Sequence, residues 1–123
     1  MSTLAELCGA TSGVASDIDG LSIVPTLVGE TAKQKQHDYL YWAFYERGGA
    51  QAARMGRWKA VQQPYHSLVR LYDVAKDVGE EQDVAAVNPE IVAKLSAAMK
   101  EAYVPAENWK FPEPAAAAAG KSK

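Results

Sequence analysis

The side chains in this sequence that could do chemistry are two histidines, one cysteine and a run of acidic residues. His37 and His66 lie far apart in the chain, and neither stands at a catalytic spacing from a serine, a cysteine or an aspartate. We therefore expect both to be solvated loop residues. Cys8 has no second cysteine to form a disulfide with, and we expect it to be a small buried side chain on a short helix.

The acidic stretch from Asp73 to Asp83 superficially resembles a calcium-binding loop. Ala75, Val78 and Val84 stand where an EF-hand requires a ligand, a glycine and a glutamate. The stretch is therefore interpreted as a solvated turn. From its residues alone, the chain is predicted to carry no catalytic residue, no metal ligand and no cofactor.

Composition excludes two classes of partner. Of the 123 residues, 48% are hydrophobic and 23% are charged, with a net charge of −2. Lysine and arginine are spread along the chain, so no nucleic-acid surface is predicted. No apolar run reaches the roughly 18 residues of a membrane span. An acidic residue stands near the start of the sequence where a secretory signal carries positive charge, so no signal peptide is predicted in these residues.

The clearest strand signal is segment 39–45, in which six of seven residues are aromatic or large aliphatic. Both alternating faces of this segment are apolar, and such a strand is usually covered on both sides. Segments 50–55 and 58–62 are predicted as two strands of a hairpin, and segment 68–73 as a fourth strand. Four short strands with short connections imply an antiparallel meander.

One helix is predicted near the end of the chain. Asn88, Pro89 and Glu90 are typical of a helix start, and the following apolar residues recur on one stripe as far as Ala102. The expected fold is α+β, with a four-stranded antiparallel sheet packed by one C-terminal amphipathic helix, an irregular N-terminal segment and a disordered C-terminal tail. Residues 1–36 are predicted as a linker segment with short helices, 37–104 as the sheet-and-helix subdomain, and 105–123 as a low-complexity tail.

Five segments, in this order, resemble the C-terminal subdomain of the formylglycine-dependent (arylsulfatase-type) sulfatases. They are the Asp-Gly-x-Ser-hydrophobic-x-Pro-x-Leu pattern at 19–27, the strands at 39–61, the Leu-Tyr-Asp at 71–73, the acidic turn at 76–85, and the helix from Pro89. Four positions depart from the family pattern. Val78 and Asp83 replace a common Pro and Asn in a turn, whereas Ala43 and Tyr45 replace a Glu and a His that many relatives carry in the first strand.

The resemblance does not extend to the catalytic machinery of the family. Sulfatases convert a Cys or Ser in Cys/Ser-x-Pro/Ala-x-Arg to formylglycine and bind calcium in a much longer domain. Cys8-Gly-Ala-Thr-Ser12 shares only Cys-x-Ala, because Ser12 stands where the arginine is required. Calcium and formylglycine are thus implied for the complete parent enzyme, and no catalytic or metal residue is assigned to this chain.

The resemblance implies one place where the chain would approach a substrate. In this family the loop after the first strand tends to lie near the mouth of the active site. The substrate-proximal residues would then be Glu46, Arg47, Gly48, Gly49 and Gln51. An ordinary hairpin turn is the alternative interpretation of this loop.

Two hypotheses about function follow. The first is a non-catalytic C-terminal fragment of a sulfatase whose complete parent would hydrolyse sulfate esters, so that the chain is inactive alone. The second is a stand-alone interaction module that docks on a separately encoded catalytic chain. In both, the expected partner is the missing catalytic domain or, failing that, a second copy bound by self-association through the exposed sheet face. The substrate of the parent and the localisation are left open.

Overall fold

The computed structural model describes residues 1–15 and 18–111, which divide by their contacts into two units, Met1–Asp38 and a second unit from Tyr39 onward. The first unit contains two short helices, α1 (Ser2–Leu7) and α2 (Val24–Leu27), with 3-10 turns at Thr11–Gly13 and Thr31–Lys33. No residue of either helix is buried. This unit matches the irregular N-terminal segment that the sequence predicts.

Cys8 corrects one expectation. It directly follows α1 and is exposed, not buried. The reason is that α1 has no buried residue, so the helix offers no core into which the thiol could pack.

The second unit is built on an antiparallel sheet. Its strands are β1 (Leu40–Phe44), β2 (Ala50–Met55), β3 (Trp58–Gln62) and β4 (Arg70–Asp73), in the spatial order β1-β2-β3-β4. The predicted meander is confirmed. β2 and β3 are joined by two residues, of which Gly56 has a φ of +57°, the left-handed region that glycine enters without steric cost.

A single long helix, α3 (Pro89–Ala102), packs on one face of the sheet. The contact is made by buried residues from both layers: Leu95 and Met99 of α3, and Ala53, Ala60 and Leu71 of the sheet. Alanines at the centre of the sheet let the helix approach closely. The predicted α+β fold is thereby confirmed, with α3 beginning at the predicted proline.

Two further observations complete the fold. Asn88 occupies the position before α3, but its Nδ2 donates to the carbonyl of Val84 and its side chain does not cap the helix. No helix among residues 1–15 and 18–111 is long and apolar enough to cross a bilayer. The predicted disordered tail covers 105–123, and its part from 112 onward lies outside the described residues.

Candidate functional site

The sheet face opposite α3 is the first candidate site. Cross-strand pairing places Trp42, Ala52, Val61 and Arg70 in one row across the four strands. The neighbouring row runs from Leu40 through Arg54 and Lys59 to Tyr72. Because successive side chains of a strand alternate between faces, these two rows and Phe44 share the face that α3 does not cover. We call it the open face.

Large apolar side chains of β1 reach solvent on the open face. Leu40 is 41% exposed, Trp42 48% and Phe44 52%. A groove of about 550 Å³ runs beside Trp42 and is bordered on its far side by the turn that carries Val78 and Glu80. A shallower hollow of about 280 Å³ lies over Phe44, Ala52 and Val61. Exposed apolar surface of this kind marks contact sites for other molecules.

The charged side chains of the open face are predominantly positive. Lys59 forms an ion pair with Glu80. The Nε of Arg54 donates to the backbone carbonyl of Gly56, and within the described part of the chain neither Arg54 nor Arg70 forms an ion pair with a carboxylate. The open face therefore combines an apolar area around Trp42 with two arginines that have no acidic partner among the described residues.

The loop between β1 and β2 holds most of the residues predicted to lie near a substrate. Arg47, Gly48 and Gly49 all have positive φ, of 51°, 90° and 73°. The amide of Gly49 donates to the carbonyl of Glu46 at 2.9 Å, and the amide of Tyr65 donates to the carbonyls of Gly49 at 2.9 Å and Gly48 at 3.2 Å. Glu46, Arg47 and Gly48 are exposed, whereas Gly49 is buried. The loop thus presents one acidic and one basic side chain from a backbone held by the β3–β4 connection.

Gln51 lies apart from this exposed loop. It belongs to β2, on the same face as α3, where its Oε1 accepts from the hydroxyl of Tyr41 at 3.2 Å. Its Nε2 donates to Oε1 of Gln62 at 2.7 Å, and Nε2 of Gln62 donates to the carbonyl of Ser67 at 2.7 Å. The structure therefore brings Glu46, Arg47, Gly48 and Gly49 together, and places the polar end of Gln51 in a hydrogen-bonded row on the α3 side of the sheet.

The hydroxyl at the start of that row has a shifted acidity. Burial, and to a lesser extent the nearby Tyr45, Tyr65 and Tyr103, raises the pKa of Tyr41 to about 12. Tyr41 is consequently neutral at physiological pH and acts as a hydrogen-bond donor to Gln51.

An aromatic cluster that the sequence analysis missed supports the loop. Phe111 stacks on Tyr65 with ring centroids 3.7 Å apart and planes 7° from parallel. It also contacts Tyr45 at 4.7 Å and Tyr103 at 5.3 Å, and Trp109 lies 6.3 Å from Tyr45. Trp109 and Phe111 are the aromatic residues of an otherwise proline- and alanine-rich segment, and their presence there was the sequence signal that could have indicated this packing. The cluster packs against Tyr45, which directly precedes the loop, and against Tyr65, whose amide binds the loop carbonyls.

The remaining candidates are placed as the sequence predicts. His37 and His66 are both exposed, which confirms their interpretation as solvated residues. His66 has a φ of +74° and an edge contact with Tyr65 at 4.2 Å.

The aspartate carboxylates of the acidic turn are hydrogen-bonded or ion-paired within the chain. Asp83 accepts from the amides of Leu71 and Ala85, and Asp77 accepts from two amides of its own turn. Asp73 is hydrogen-bonded and ion-paired to Arg57, which lowers the pKa of that carboxyl. Across residues 1–15 and 18–111, no three His, Cys, Asp or Glu side chains converge as a metal site. The carboxylates of the described residues therefore do not form a ligand set for the calcium that the sulfatase resemblance implies for the parent enzyme.

Comparison with known proteins yields matches at the level of structure. No protein-family model and no curated protein sequence matches the chain. Among solved structures, BT1596, a 2-O GAG sulfatase, is 28% identical with a TM-score of 0.67, covering 80% of this chain and 22% of its own. A putative sulfatase from Bacteroides thetaiotaomicron VPI-5482 is 28% identical with a TM-score of 0.69 over the same shares. The protein Ps i-CgsB, in complex with k-i-k-neocarrahexaose, is 24% identical with a TM-score of 0.67, over 81% of this chain and 22% of its own.

The resemblance to a sulfatase C-terminal subdomain is thereby confirmed. The chain spans about 22% of the length of the sulfatases that it matches, so it corresponds to a small part of such an enzyme.

Proposed function

We propose that this chain is the C-terminal subdomain of a sulfatase and hydrolyses no sulfate ester by itself. The observation that carries the proposal is that a sulfatase-like sheet and helix leave one face of the sheet open, in a chain that covers 22% of the length of the sulfatases it matches. Its sequence contains no Cys/Ser-x-Pro/Ala-x-Arg segment. The nucleophile and the divalent cation that sulfate ester cleavage requires in this family would come from residues outside this sequence.

In this proposal the open face is the surface that contacts the catalytic domain. Trp42 and Phe44 are about half exposed, and Ala52 and Val61 lie beside them on a flat apolar area. Burial of this area is favourable by about 25 cal/mol per Å². The same contact accounts for a first strand that is apolar on both faces, because α3 covers one and the catalytic domain covers the other.

The loop of Glu46, Arg47, Gly48 and Gly49 would then contribute to the rim of the active site. Its two exposed charged side chains stand on a backbone held by Tyr65, so they could contact a bound substrate without a large loss of conformational freedom. Gln51 would help to hold the β3–β4 connection, which binds the loop, because it donates to Gln62 and Gln62 donates to the carbonyl of Ser67. Because BT1596 is a 2-O GAG sulfatase, sulfated glycans are the first substrate class to test.

A stand-alone module that docks on a separately encoded catalytic chain is the alternative, and the unpaired arginines of the open face favour it. Arg54 and Arg70 are charged groups that a reversible interface keeps at its rim, where they raise the association rate with an acidic partner. Both hypotheses use the same face. They differ in whether the catalytic domain belongs to the same polypeptide or to a separate one.

Activity of the isolated chain is the direct test. The purified 123-residue chain is incubated with 4-nitrophenyl sulfate and with a sulfated glycan, with and without calcium. No release of nitrophenol or sulfate above a protein-free control is expected. Turnover that scales with protein concentration and disappears on denaturation would refute a non-catalytic role.

Sequencing the coding region upstream separates the two hypotheses. An in-frame Cys/Ser-x-Pro/Ala-x-Arg segment makes the chain part of one sulfatase polypeptide. If that segment is found only in another gene, co-expression of its product should recover a complex whose yield falls when Trp42 is replaced by Thr. Co-purification that is unaffected by Trp42→Thr would rule out the open face as the contact.

A further inference from the structure

The sheet ends in two edge strands, and they differ in charge. β1 has no charged residue between Leu40 and Phe44. β4, by contrast, begins with Arg70 and ends with Asp73. Charged side chains on an edge strand discourage pairing with a strand of another molecule, and their absence permits it. β1 is therefore the edge that is open to strand addition.

The backbone of β1 is also available for pairing. β2 is its only neighbour in the sheet. Within the described part of the second unit, residues 39–111, no backbone group outside the sheet hydrogen-bonds to Leu40–Phe44. A row of free amide and carbonyl groups along an apolar strand is a template for an additional strand.

A second copy of the chain fits this edge better than it fits the open face. If two copies packed face to face, Arg54 and Arg70 of both would be brought into a shared interface without carboxylate partners. Burying like charges in this way is strongly unfavourable. Pairing at the edge leaves all four arginines in water.

We propose that β1 pairs with β1 of a second copy in antiparallel orientation about a two-fold axis at Trp42. Full overlap of the five residues sets Trp42 opposite Trp42, Leu40 opposite Phe44, and Tyr41 opposite Ala43. Large apolar side chains then meet on the side of the open face, and such cross-strand pairs are favourable. The two sheets become one continuous sheet of eight strands.

The pair is expected to be weak and dependent on concentration. Five residues of edge contact bury much less than the roughly 1,200 Å² of a stable protein interface. This inference concerns the edge of β1 and does not rest on the proposed function, which concerns the open face. The two can therefore fail separately.

Sedimentation equilibrium of the full 123-residue chain from micromolar to millimolar concentration tests the pairing. We expect a monomer–dimer equilibrium. Trp42→Lys sets two like charges opposite each other, so dimerisation should weaken by about tenfold or more at low salt and recover partly at high salt. An equimolar mixture of Trp42→Lys and Trp42→Glu should associate more strongly than either variant alone.

Two matched variants in the same cross-strand row serve as controls. Val61→Lys lies on a central strand of the open face, and Arg70→Glu lies at the opposite edge. Both should dimerise like the parent chain. Each variant is first compared with the parent by circular dichroism. If Trp42→Lys does not fold, hydrogen exchange on the parent chain replaces it, and the amides of β1 should become protected as concentration rises.

Three results would overturn the proposal. The first is a parent chain that stays monomeric at millimolar concentration. The second is a Val61→Lys variant that loses association as completely as Trp42→Lys, since this would indicate face-to-face packing. The third is a Lys and Glu mixture that associates no better than its components.

Discussion

One substitution, leucine to alanine, can be made at three depths in the sheet-and-helix unit. Leu95 of α3 is 1% exposed, Leu40 of the open face is 41% exposed, and Leu68 before β4 is 90% exposed. The chemistry of the change is the same at all three positions. Differences in stability between the variants therefore report how each side chain is covered.

The expected losses differ clearly. Leu95→Ala removes a fully buried side chain between α3 and the sheet and leaves a cavity, so it should cost about 2–5 kcal/mol. Leu40→Ala removes a side chain that water already contacts and leaves no closed cavity, so about 1 kcal/mol is expected. Leu68→Ala should change the free energy of unfolding by less than about 0.5 kcal/mol.

Urea unfolding of the isolated chain at low concentration measures these losses. For a domain of this size each kcal/mol corresponds to about 4–8 °C in Tm, so Leu95→Ala should lower Tm by about 8 °C or more. A loss at Leu40 equal to that at Leu95 would refute the assignment of an open face, because it would require that face to be covered in the isolated chain.

Three further predictions have separate readouts. Burial and neighbouring tyrosines raise the pKa of Tyr41 to about 12. Its neutral form therefore stabilises the fold below about pH 10, and this stabilisation is lost as the pH rises toward about 12. Tyr41→Phe should reduce the part of the fall in Tm at alkaline pH that comes from this group. Gly49→Ala should cost about 1–2 kcal/mol because φ is +73°, whereas Gly13→Ala, whose added Cβ would meet no atom within 4 Å, should be close to neutral; thermal unfolding measures both. Cys8 is exposed, so Ellman's reagent should titrate one thiol in the folded chain, and a thiol that reacts only in denaturant would contradict this placement.

The sheet and α3 could be predicted from sequence because the signals that define them are local. The two-residue connection at Gly56 sets the register of β2 against β3, and the proline at the start of α3 marks its first residue. The open face was likewise predictable in outline, since a strand that is apolar on both sides implies a second covering layer.

The features that the sequence did not reveal depend on contacts between distant residues. Tyr65 and Phe111 are far apart in the chain, yet they stack at 3.7 Å, and proline- and alanine-rich surroundings conceal that contact. Arg47 has a positive φ in a loop whose Gly48 and Gly49 carbonyls accept from the amide of Tyr65, a residue of the β3–β4 connection. Cys8 was misplaced because an apolar short helix indicates burial only when another element covers it.

The open face and the loop predicted to lie near a substrate are consecutive along the chain, and under the proposed function this order has a consequence. Phe44 lies on the open face, Tyr45 is fixed by Phe111, and Glu46 begins the loop. Contact between Phe44 and a catalytic domain would therefore fix where Glu46 and Arg47 stand.

If the loop lines the active site of a complete enzyme as proposed, Phe44→Thr should reduce kcat/KM for a sulfated glycan more than for 4-nitrophenyl sulfate, because only the larger substrate is then expected to reach the loop. Phe44 is 52% exposed, which leaves about 100 Å² to be buried. This area corresponds to about 2.5 kcal/mol, or roughly 70-fold at most. Leu68→Thr, at an exposed residue outside the four strands, provides the control and should leave both substrates unaffected. Equal losses on the two substrates would indicate that Phe44 supports the catalytic domain as a whole, and the link from face to loop would then be wrong.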